Sequence, residues 1–258
     1  MKNDISWHHF DNLPEQSSTL AHRVADDIKR CLTHKPQVTL CVPGGNTPAL
    51  FLKALSKIEL DWHRVNILLN DERWVPLSDE KSNQAMLLRT LENGYAKAAN
   101  IIAFYPPSEK ETLSREDFLK QFNGHYFYQG GTQDTKDSSQ FSITSPPITP
   151  LEIDICVLGM GEDGHTASLF PDMLNLSQAL DPKLSPALIS ADPPDKEARV
   201  SLNLSALLSA QYHYLLITGK TKESLIYAAQ KANTKQQSTR LPIEHLIEKT
   251  SLAIYYSH

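Results

Sequence analysis

Several short apolar runs along the chain are each followed by a turn rich in Gly, Pro or polar residues, and then by a segment with helical periodicity. The clearest runs are Val38–Val42, Val65–Leu69 and Tyr212–Thr218, which have the length and composition of buried strands. Strands that alternate with helices in this way predict an α/β fold. We expect a mostly parallel sheet that is flanked by helices on both faces.

The remaining elements follow from the same patterns. Apolar runs predict further strands at 101–105, 153–158, 187–190, 200–202 and 252–256. Periodicity and capping residues predict helices at 17–32, 48–55, 82–91, 114–122, 220–232 and 242–248, and one beginning at Thr166. Residues 129–150 are rich in Gly, Ser, Thr, Gln and Pro, which predicts a polar excursion. Because both flanks of this excursion have the same strand–helix character, we expect a single domain over 1–258.

Composition and charge narrow the class of protein. Of the 258 residues, 40% are apolar and 21% are charged, as in a soluble globular chain, and the net charge is −5. A net negative charge argues against a binder of nucleic acid or of membrane surfaces, because both need an extended basic face. The odd count of three cysteines favours reduced thiols and a cytoplasmic location. No apolar stretch is long enough to span a bilayer, and no residue specifies a protein partner.

The most informative segment follows the predicted strand at 153–158. Gly159, Gly161 and Gly164 turn the chain sharply, and His165 comes directly after them. Ligands of open α/β sheets bind outside the carboxyl ends of strands, and histidine is the side chain best suited to proton transfer near neutral pH. Most of the ten histidines need have no catalytic role. We single out His165 because of its glycine-rich turn, and because Asp163 lies near enough to fix the tautomer of its ring.

Anion-binding chemistry is indicated by three further segments. The run Pro43-Gly-Gly-Asn-Thr-Pro48 joins a strand to a helix, so Gly44, Gly45 and Asn46 would offer backbone N–H groups to a phosphate. An ordinary turn is the alternative for this run. Arg73 directly follows two carboxylates after a strand, and it either forms a local salt bridge or grips a phosphate. Lys220 and Lys222 open a helix, where cations are unfavourable unless an anion is bound.

Other kinds of site are argued against by missing motifs. The chain has no HExxH, no Cys/His pair at metal spacing and no acidic loop of the EF-hand type, so we expect no metal site. It also lacks the GxSxG elbow of serine hydrolases.

Taken together, the motifs resemble those of the 6-phosphogluconolactonases. The resemblance is carried by Pro43-Gly-Gly-Asn-Thr-Pro48, Asn70-Asp-Glu-Arg-Trp-Val-Pro76, Ser82-Asn83, Leu158 to Pro171, Ala198-Arg-Val-Ser-Leu202 and Thr218-Gly-Lys-Thr-Lys222. The run from Asp163 to Pro171 is the most specific of these. The chain departs from the family pattern at Pro43, where a serine is usual, and in its C-terminal segments.

The resemblance implies a modified Rossmann-like fold related to ribose-5-phosphate isomerase and glucosamine-6-phosphate deaminase. It implies hydrolysis of 6-phosphoglucono-δ-lactone to 6-phosphogluconate in the oxidative pentose phosphate pathway, without a cofactor. It also implies that His165 is the general base, and that Arg73, Arg199 and Lys222 bind the phosphate. Two alternatives stay open, which are a glucosamine-6-phosphate deaminase and a sugar-phosphate sensor without catalytic activity. The residues after His165 favour the lactonase.

Overall fold

The computed structural model describes residues 4–104, 113–127, 151–231 and 240–258. The strands in these ranges are β1 (Ile5–Phe10), β2 (Val38–Val42), β3 (Val65–Leu69), β4 (Asp71–Arg73), β5 (Asn100–Ile102), β6 (Ile155–Leu158), β7 (Leu188–Ala191), β8 (Arg199–Leu202), β9 (Tyr212–Thr218) and β10 (Leu252–Ser257). The helices are α1 (Leu13–Leu32), α2 (Asn46–Ser56), α3 (Asn83–Leu91), α4 (Arg115–Tyr126), α5 (Leu176–Ala179), α6 (Leu204–Leu208), α7 (Lys220–Lys231) and α8 (Pro242–Lys249).

The main sheet has seven parallel strands in the order β1-β10-β9-β6-β2-β3-β5. Every residue of β2, β3 and β6 is buried. Since successive side chains of a strand point to opposite faces, burial of all of them means that both faces of the sheet are covered. The predicted α/β architecture is therefore confirmed. All three cysteines are buried and free, as expected from the sequence.

The strand order reverses direction between β2 and β6. From β2 the chain moves outward to β3 and β5, whereas from β6 it moves the other way to β9 and β10, beyond which the N-terminal strand β1 forms the edge. Neighbouring crossovers that leave a sheet in opposite directions open a crevice at the carboxyl ends of the two central strands. The loops after β2 and β6, which carry Gly44 and His165, meet at that crevice.

A second sheet was not predicted. The strands β4, β8 and β7 form a small antiparallel sheet in that order. Only Asn70 separates the end of β3 from the start of β4, so the Asn70-Asp-Glu-Arg segment leaves the main sheet and pairs with β8. In this pairing Arg73 lies directly opposite Arg199. The small sheet thus joins two segments that are far apart in sequence.

Near the N-terminus the structure has one strand that was not predicted and a helix that begins earlier than predicted. The polar start of the chain forms the edge strand β1, and none of its residues is fully buried. The first helix begins at Leu13 rather than near residue 17, because the Asn12 side chain accepts a hydrogen bond from the Glu15 N–H at 2.9 Å and caps it there. An edge strand with mixed burial gives little periodic signal, which explains the omission.

The helix expected from Thr166 was also wrong. Ala167 has a positive φ of 49°, and Thr166 instead forms an isolated antiparallel bridge with Leu169. A residue in the left-handed region interrupts a right-handed helix, so the chain stays irregular until the short helix α5. The excursion at 129–150 lies outside the described residues, and the single domain over 1–258 stays a prediction. Among the described helices, none has the length and apolar character to cross a bilayer.

Candidate active site

A pocket of about 230 Å³ occupies the crevice at the carboxyl ends of the central strands. Seven of the eight residues predicted for the site line it, namely Gly44, Gly45, Asn46, Arg73, His165, Arg199 and Lys222. The eighth, Asp163, does not line the pocket, but its Oδ1 contacts the Nδ1 of His165. Lys220, the other lysine considered, is not part of the lining. The structure therefore brings together residues from five separate segments of the chain, which are the turn into α2, β4, the turn after β6, β8 and the first turn of α7.

The glycine-rich loop after β2 presents the open start of α2 to the pocket. Gly45 adopts a φ of 101°, a conformation that favours glycine, and no side chain caps the helix. The first hydrogen bond of the helix runs from the Ala49 N–H to the Gly45 carbonyl, so the N–H groups of Asn46 and Thr47 have no partner within it. These donors and the helix dipole favour an anion at this point.

The start of α3, in contrast, is already occupied by a carboxylate of the chain itself. Buried Glu72 accepts hydrogen bonds from the N–H groups of Asn83 at 2.8 Å and Gln84 at 2.7 Å. Burial raises the pKa of the Glu72 carboxyl, although hydrogen bonds from these N–H groups and from that of Arg73 oppose the shift. Asn83 in turn lies so close to Gly44 that a Cβ there would be 2.1 Å from the Asn83 Cγ. The turn at Gly44 is thus fixed by close packing against the first residue of α3.

Two guanidinium groups face the pocket as direct neighbours on β4 and β8. Arg73 and Arg199 are opposite residues of an antiparallel pair, an arrangement of like charges that is unfavourable by itself. The Arg199 Nη1 lies 3.7 Å from the Asp71 Oδ2, whereas Arg73 donates to the Lys81 carbonyl at 2.5 Å and has no acidic partner among the described residues. The buried Nε atoms of both arginines lack a hydrogen-bond partner in the part of the chain that the structure describes.

The local salt bridge considered for Arg73 is therefore not formed. Asp71 pairs with Arg199 and accepts a hydrogen bond from the Ser168 hydroxyl at 2.5 Å. Burial lowers the pKa of Arg199, Asp71 opposes this shift, and the charge of Arg73 adds to it. Unpaired donors on adjacent guanidinium groups are typical of a site for a polyanion. Lys222, in the first turn of α7, adds a third positive charge to the lining.

His165 is held by its own turn in a defined orientation. Its Nδ1 lies 2.5 Å from the Asp163 Oδ1, and its backbone N–H donates to the same oxygen at 3.1 Å. Burial opposes ionisation of Asp163, but its hydrogen bonds from His165 outweigh this and lower the pKa of the carboxyl. An ionised carboxylate only accepts hydrogen bonds, so the imidazole proton sits on Nδ1 and leaves a lone pair on Nε2.

The surroundings of the ring favour its neutral form. Burial lowers the pKa of His165, while Asp163 and Asp71 oppose the shift. The ring packs 4.2 Å from the Phe170 centroid, and a Cβ on Gly161 would lie only 2.2 Å from its Cε1 and Nδ1. The imidazole is thus a neutral proton acceptor whose position depends on the absence of a side chain at residue 161.

Some lining residues were not predicted as site residues. Asn70 and Asp71 line the pocket, although Asp71 was considered from the sequence only as a salt-bridge partner of Arg73. Asn83 also lines it, and it was recognised only as part of a motif. All three lie at a strand end or a helix start, and this position is the signal that could have found them. No cluster of three or more His, Cys, Asp or Glu side chains that could hold a metal ion occurs within the described ranges.

Comparison with known proteins defines the class of this chain. Residues 12–254 match the family described as glucosamine-6-phosphate isomerases/6-phosphogluconolactonase, and the chain belongs to that family. It is 33% identical to a 6-phosphogluconolactonase of Pseudomonas aeruginosa over 243 residues, which cover 94% of this chain and 90% of that protein.

Solved structures agree on the fold. A 6-phosphogluconolactonase from Shewanella baltica superposes with a TM-score of 0.77 at 25% identity and covers 100% of both chains. A monomeric glucosamine-6-phosphate deaminase superposes with a TM-score of 0.68 at 16% identity, covering 98% of this chain and 97% of that one. The second likeness shows the fold alone. The predicted relation to the glucosamine-6-phosphate deaminase fold is confirmed.

Proposed function

We propose that this chain is a cytoplasmic 6-phosphogluconolactonase, which hydrolyses 6-phosphoglucono-δ-lactone to 6-phosphogluconate in the oxidative pentose phosphate pathway. The observation that carries the proposal is the shared pocket. A neutral imidazole, oriented by Asp163, faces the same space as two adjacent guanidinium groups and the open start of α2. Relatives named 6-phosphogluconolactonase, about 30% identical over most of the chain, support this choice of substrate.

The phosphate is bound by the positive side of the pocket. Arg73, Arg199 and Lys222 contribute charge, and Gly44 and Gly45 allow the backbone N–H groups at the start of α2 to approach the oxygens. Held at this end, the sugar has its lactone group in a fixed place relative to His165. Binding energy from the phosphate is thereby converted into orientation of the reacting carbon.

Hydrolysis needs a nucleophile and a proton carrier, and His165 supplies the second. Its Nε2 accepts a proton from a water molecule as the water oxygen bonds to lactone C1. The tetrahedral intermediate then collapses with cleavage of the bond between C1 and the ring oxygen. The imidazolium returns its proton to that oxygen, which becomes a hydroxyl group. Asp163 stabilises the imidazolium through Nδ1, so the ring stays correctly oriented in both protonation states.

Substrate comparison tests the proposed function. The wild-type protein is assayed with freshly prepared 6-phosphoglucono-δ-lactone, and the spontaneous rate is subtracted. Unphosphorylated glucono-δ-lactone serves as the matched substrate without the phosphate. We expect strong acceleration for the first and a far lower kcat/KM for the second. Equal kcat/KM values would contradict phosphate recognition.

An assay with glucosamine 6-phosphate as the substrate distinguishes the lactonase from the main alternative, a deaminase, because the family and the fold also include such enzymes. Ammonia release from glucosamine 6-phosphate, without lactone hydrolysis, would replace the proposal by the deaminase. Tight binding of 6-phosphogluconate without turnover of either substrate would favour the sensor.

A further inference from the structure

An exposed lysine outside the pocket lining lies beside the proposed base. The Lys196 Nζ is 4.1 Å from the centroid of the Phe170 ring, and the same ring is 4.2 Å from the His165 imidazole. The ammonium is therefore at most about 8 Å from the imidazole centroid. Phe170 itself is buried, so its position is constrained by the core. The Phe170 ring thus contacts both His165 and Lys196, and Lys196 is the solvent-exposed member of the three.

The backbone that carries Lys196 is held at both ends. Before it, both terminal nitrogens of Arg115 pair with the Asp192 carboxylate, at 2.6 and 2.7 Å. After it, Glu197 forms an ion pair with Lys81, and the Ala198 carbonyl accepts a hydrogen bond from the Trp74 N–H at 2.7 Å. These contacts hold the backbone on either side of Lys196, and its ammonium lies over the Phe170 ring.

Backbone strain occurs at the residue that precedes Lys196. Asp195 has a φ of 58°, one of two positive values among the described non-glycine residues. The other is Ala167, two residues after His165. Strained backbone persists where surrounding contacts impose it, and it is frequent at functional sites.

We propose that Lys196, which packs on the Phe170 ring, keeps a positive charge beside the His165 imidazole and so acts on the reaction through the general base rather than by contact with the substrate. The proposal rests on the proposed role of His165. Its chemical sense follows from the substrate. Water attack on the lactone needs the neutral imidazole as proton acceptor, and a nearby cation favours the neutral form.

The charges around His165 make the sign of the effect clear. Asp163, in the same turn, and Asp71, on β4, raise the pKa of the imidazole, whereas Lys196 lowers it, and burial is the largest cause of the net decrease. Arg199, on β8, also faces the Phe170 ring, with its Cζ 5.2 Å from the centroid, but it is mostly buried and pairs with Asp71, so Lys196 is the exposed cation of the two. Without Lys196 the pKa of His165 must rise. The rise is small and largest at low salt, because an exposed ammonium about 8 Å away acts through solvent.

The test measures the protonation of His165 directly, without turnover. The Cε1–H resonance of His165 is assigned by its absence in His165→Gln and is titrated by NMR at low ionic strength. We expect Lys196→Met to raise the midpoint by about 0.3–0.7 pH unit, and Lys196→Arg to stay within about 0.1 unit of wild type. The control is Lys183→Met, which removes the charge of an exposed lysine that does not act on His165.

A second measurement separates this role from a merely structural one. The acid limb of kcat/KM for the lactone reports the same ionisation in the free enzyme. It should move upward with the NMR midpoint in Lys196→Met, while the plateau at higher pH changes little. An unchanged midpoint in Lys196→Met, or a lower plateau with no shift, would overturn the proposal. Absence of lactone hydrolysis in every variant would refute the proposed function alone, because the NMR titration would still decide on Lys196.

Discussion

Replacing Gly161 by alanine puts a methyl group where the His165 ring now lies. The added Cβ would be 2.2 Å from the imidazole Cε1 and Nδ1, and 2.6 Å from the Asp163 Oδ1. Carbon atoms in ordinary contact are about 3.5 Å apart, so the ring has to move by roughly 1 Å or more. The Nδ1 contact with Asp163, now 2.5 Å, would be broken or realigned.

The expected kinetic effect follows from this displacement. A misplacement of about 1 Å typically costs about 100-fold in rate, equivalent to about 2.7 kcal/mol of transition-state stabilisation. We therefore expect Gly161→Ala to lower kcat about 100-fold. KM should change little, because the phosphate contacts are elsewhere in the pocket. Gly161 does not adopt a positive φ, so alanine introduces no backbone strain.

Gly159→Ala is the matched control for this experiment. It makes the same chemical change in the same turn, but the nearest atom to its added Cβ is the Pro43 Cβ at 3.8 Å. Initial rates at saturating lactone are measured for both variants after subtraction of the spontaneous rate, with thermal unfolding recorded in parallel. The reasoning is refuted if Gly161→Ala keeps kcat within about threefold of Gly159→Ala.

Three further predictions concern the phosphate end and the pH dependence. Gly44→Ala would place a Cβ 2.1 Å from the Asn83 Cγ and displace the phosphate loop, at a strain of about 1–3 kcal/mol. KM and the inhibition constant of inorganic phosphate should therefore both rise about 5- to 150-fold in steady-state assays. Arg73→Ala should raise KM about 10–100-fold with little change in the thermal midpoint, because Arg73 has no acidic partner among the described residues and its loss leaves no carboxylate unpaired. Because burial lowers the pKa of His165, its neutral form should persist below about pH 6.5, and a pH profile of kcat/KM should fall only as the pH drops through that lowered value.

The main sheet could be predicted because its strands carry a strong local signal. Runs such as Val38–Val42 and Val65–Leu69 are mostly apolar and are buried throughout, and each ends in a glycine- or proline-containing turn or a polar segment. The carboxyl ends of parallel strands meet at one edge, so residues after different strands converge there. This is why Gly44 and His165, which are far apart in sequence, could be assigned to one site.

The small sheet could not be predicted, since its pairing is not local. The strands β4 and β8 have three and four residues, too few for a clear alternation of polar and apolar positions. The position of Arg73 opposite Arg199 depends on this pairing and could not be derived from either segment alone. The same limit applies to Lys196, whose relation to His165 depends on the packing of Phe170 between distant parts of the chain.

The irregular segment after His165 shows a second limit. Its residues have no glycine or proline between Thr166 and Phe170, which made a helix a reasonable expectation. In the structure, Ser168 instead donates its hydroxyl to Asp71 and its N–H to the Ser201 hydroxyl at 3.1 Å. These tertiary hydrogen bonds impose the turn in place of a helix, and they link the segment to β4 and β8.

The most direct test of the account is the comparison of His165→Gln with wild type in the hydrolysis of 6-phosphoglucono-δ-lactone. Glutamine keeps a polar side chain but cannot accept a proton from water. We predict that kcat falls by about 10²–10⁴-fold, while KM stays within a few fold and the circular dichroism spectrum is unchanged. A folded His165→Gln protein that retains kcat within tenfold of wild type would contradict the assignment of His165 as the general base.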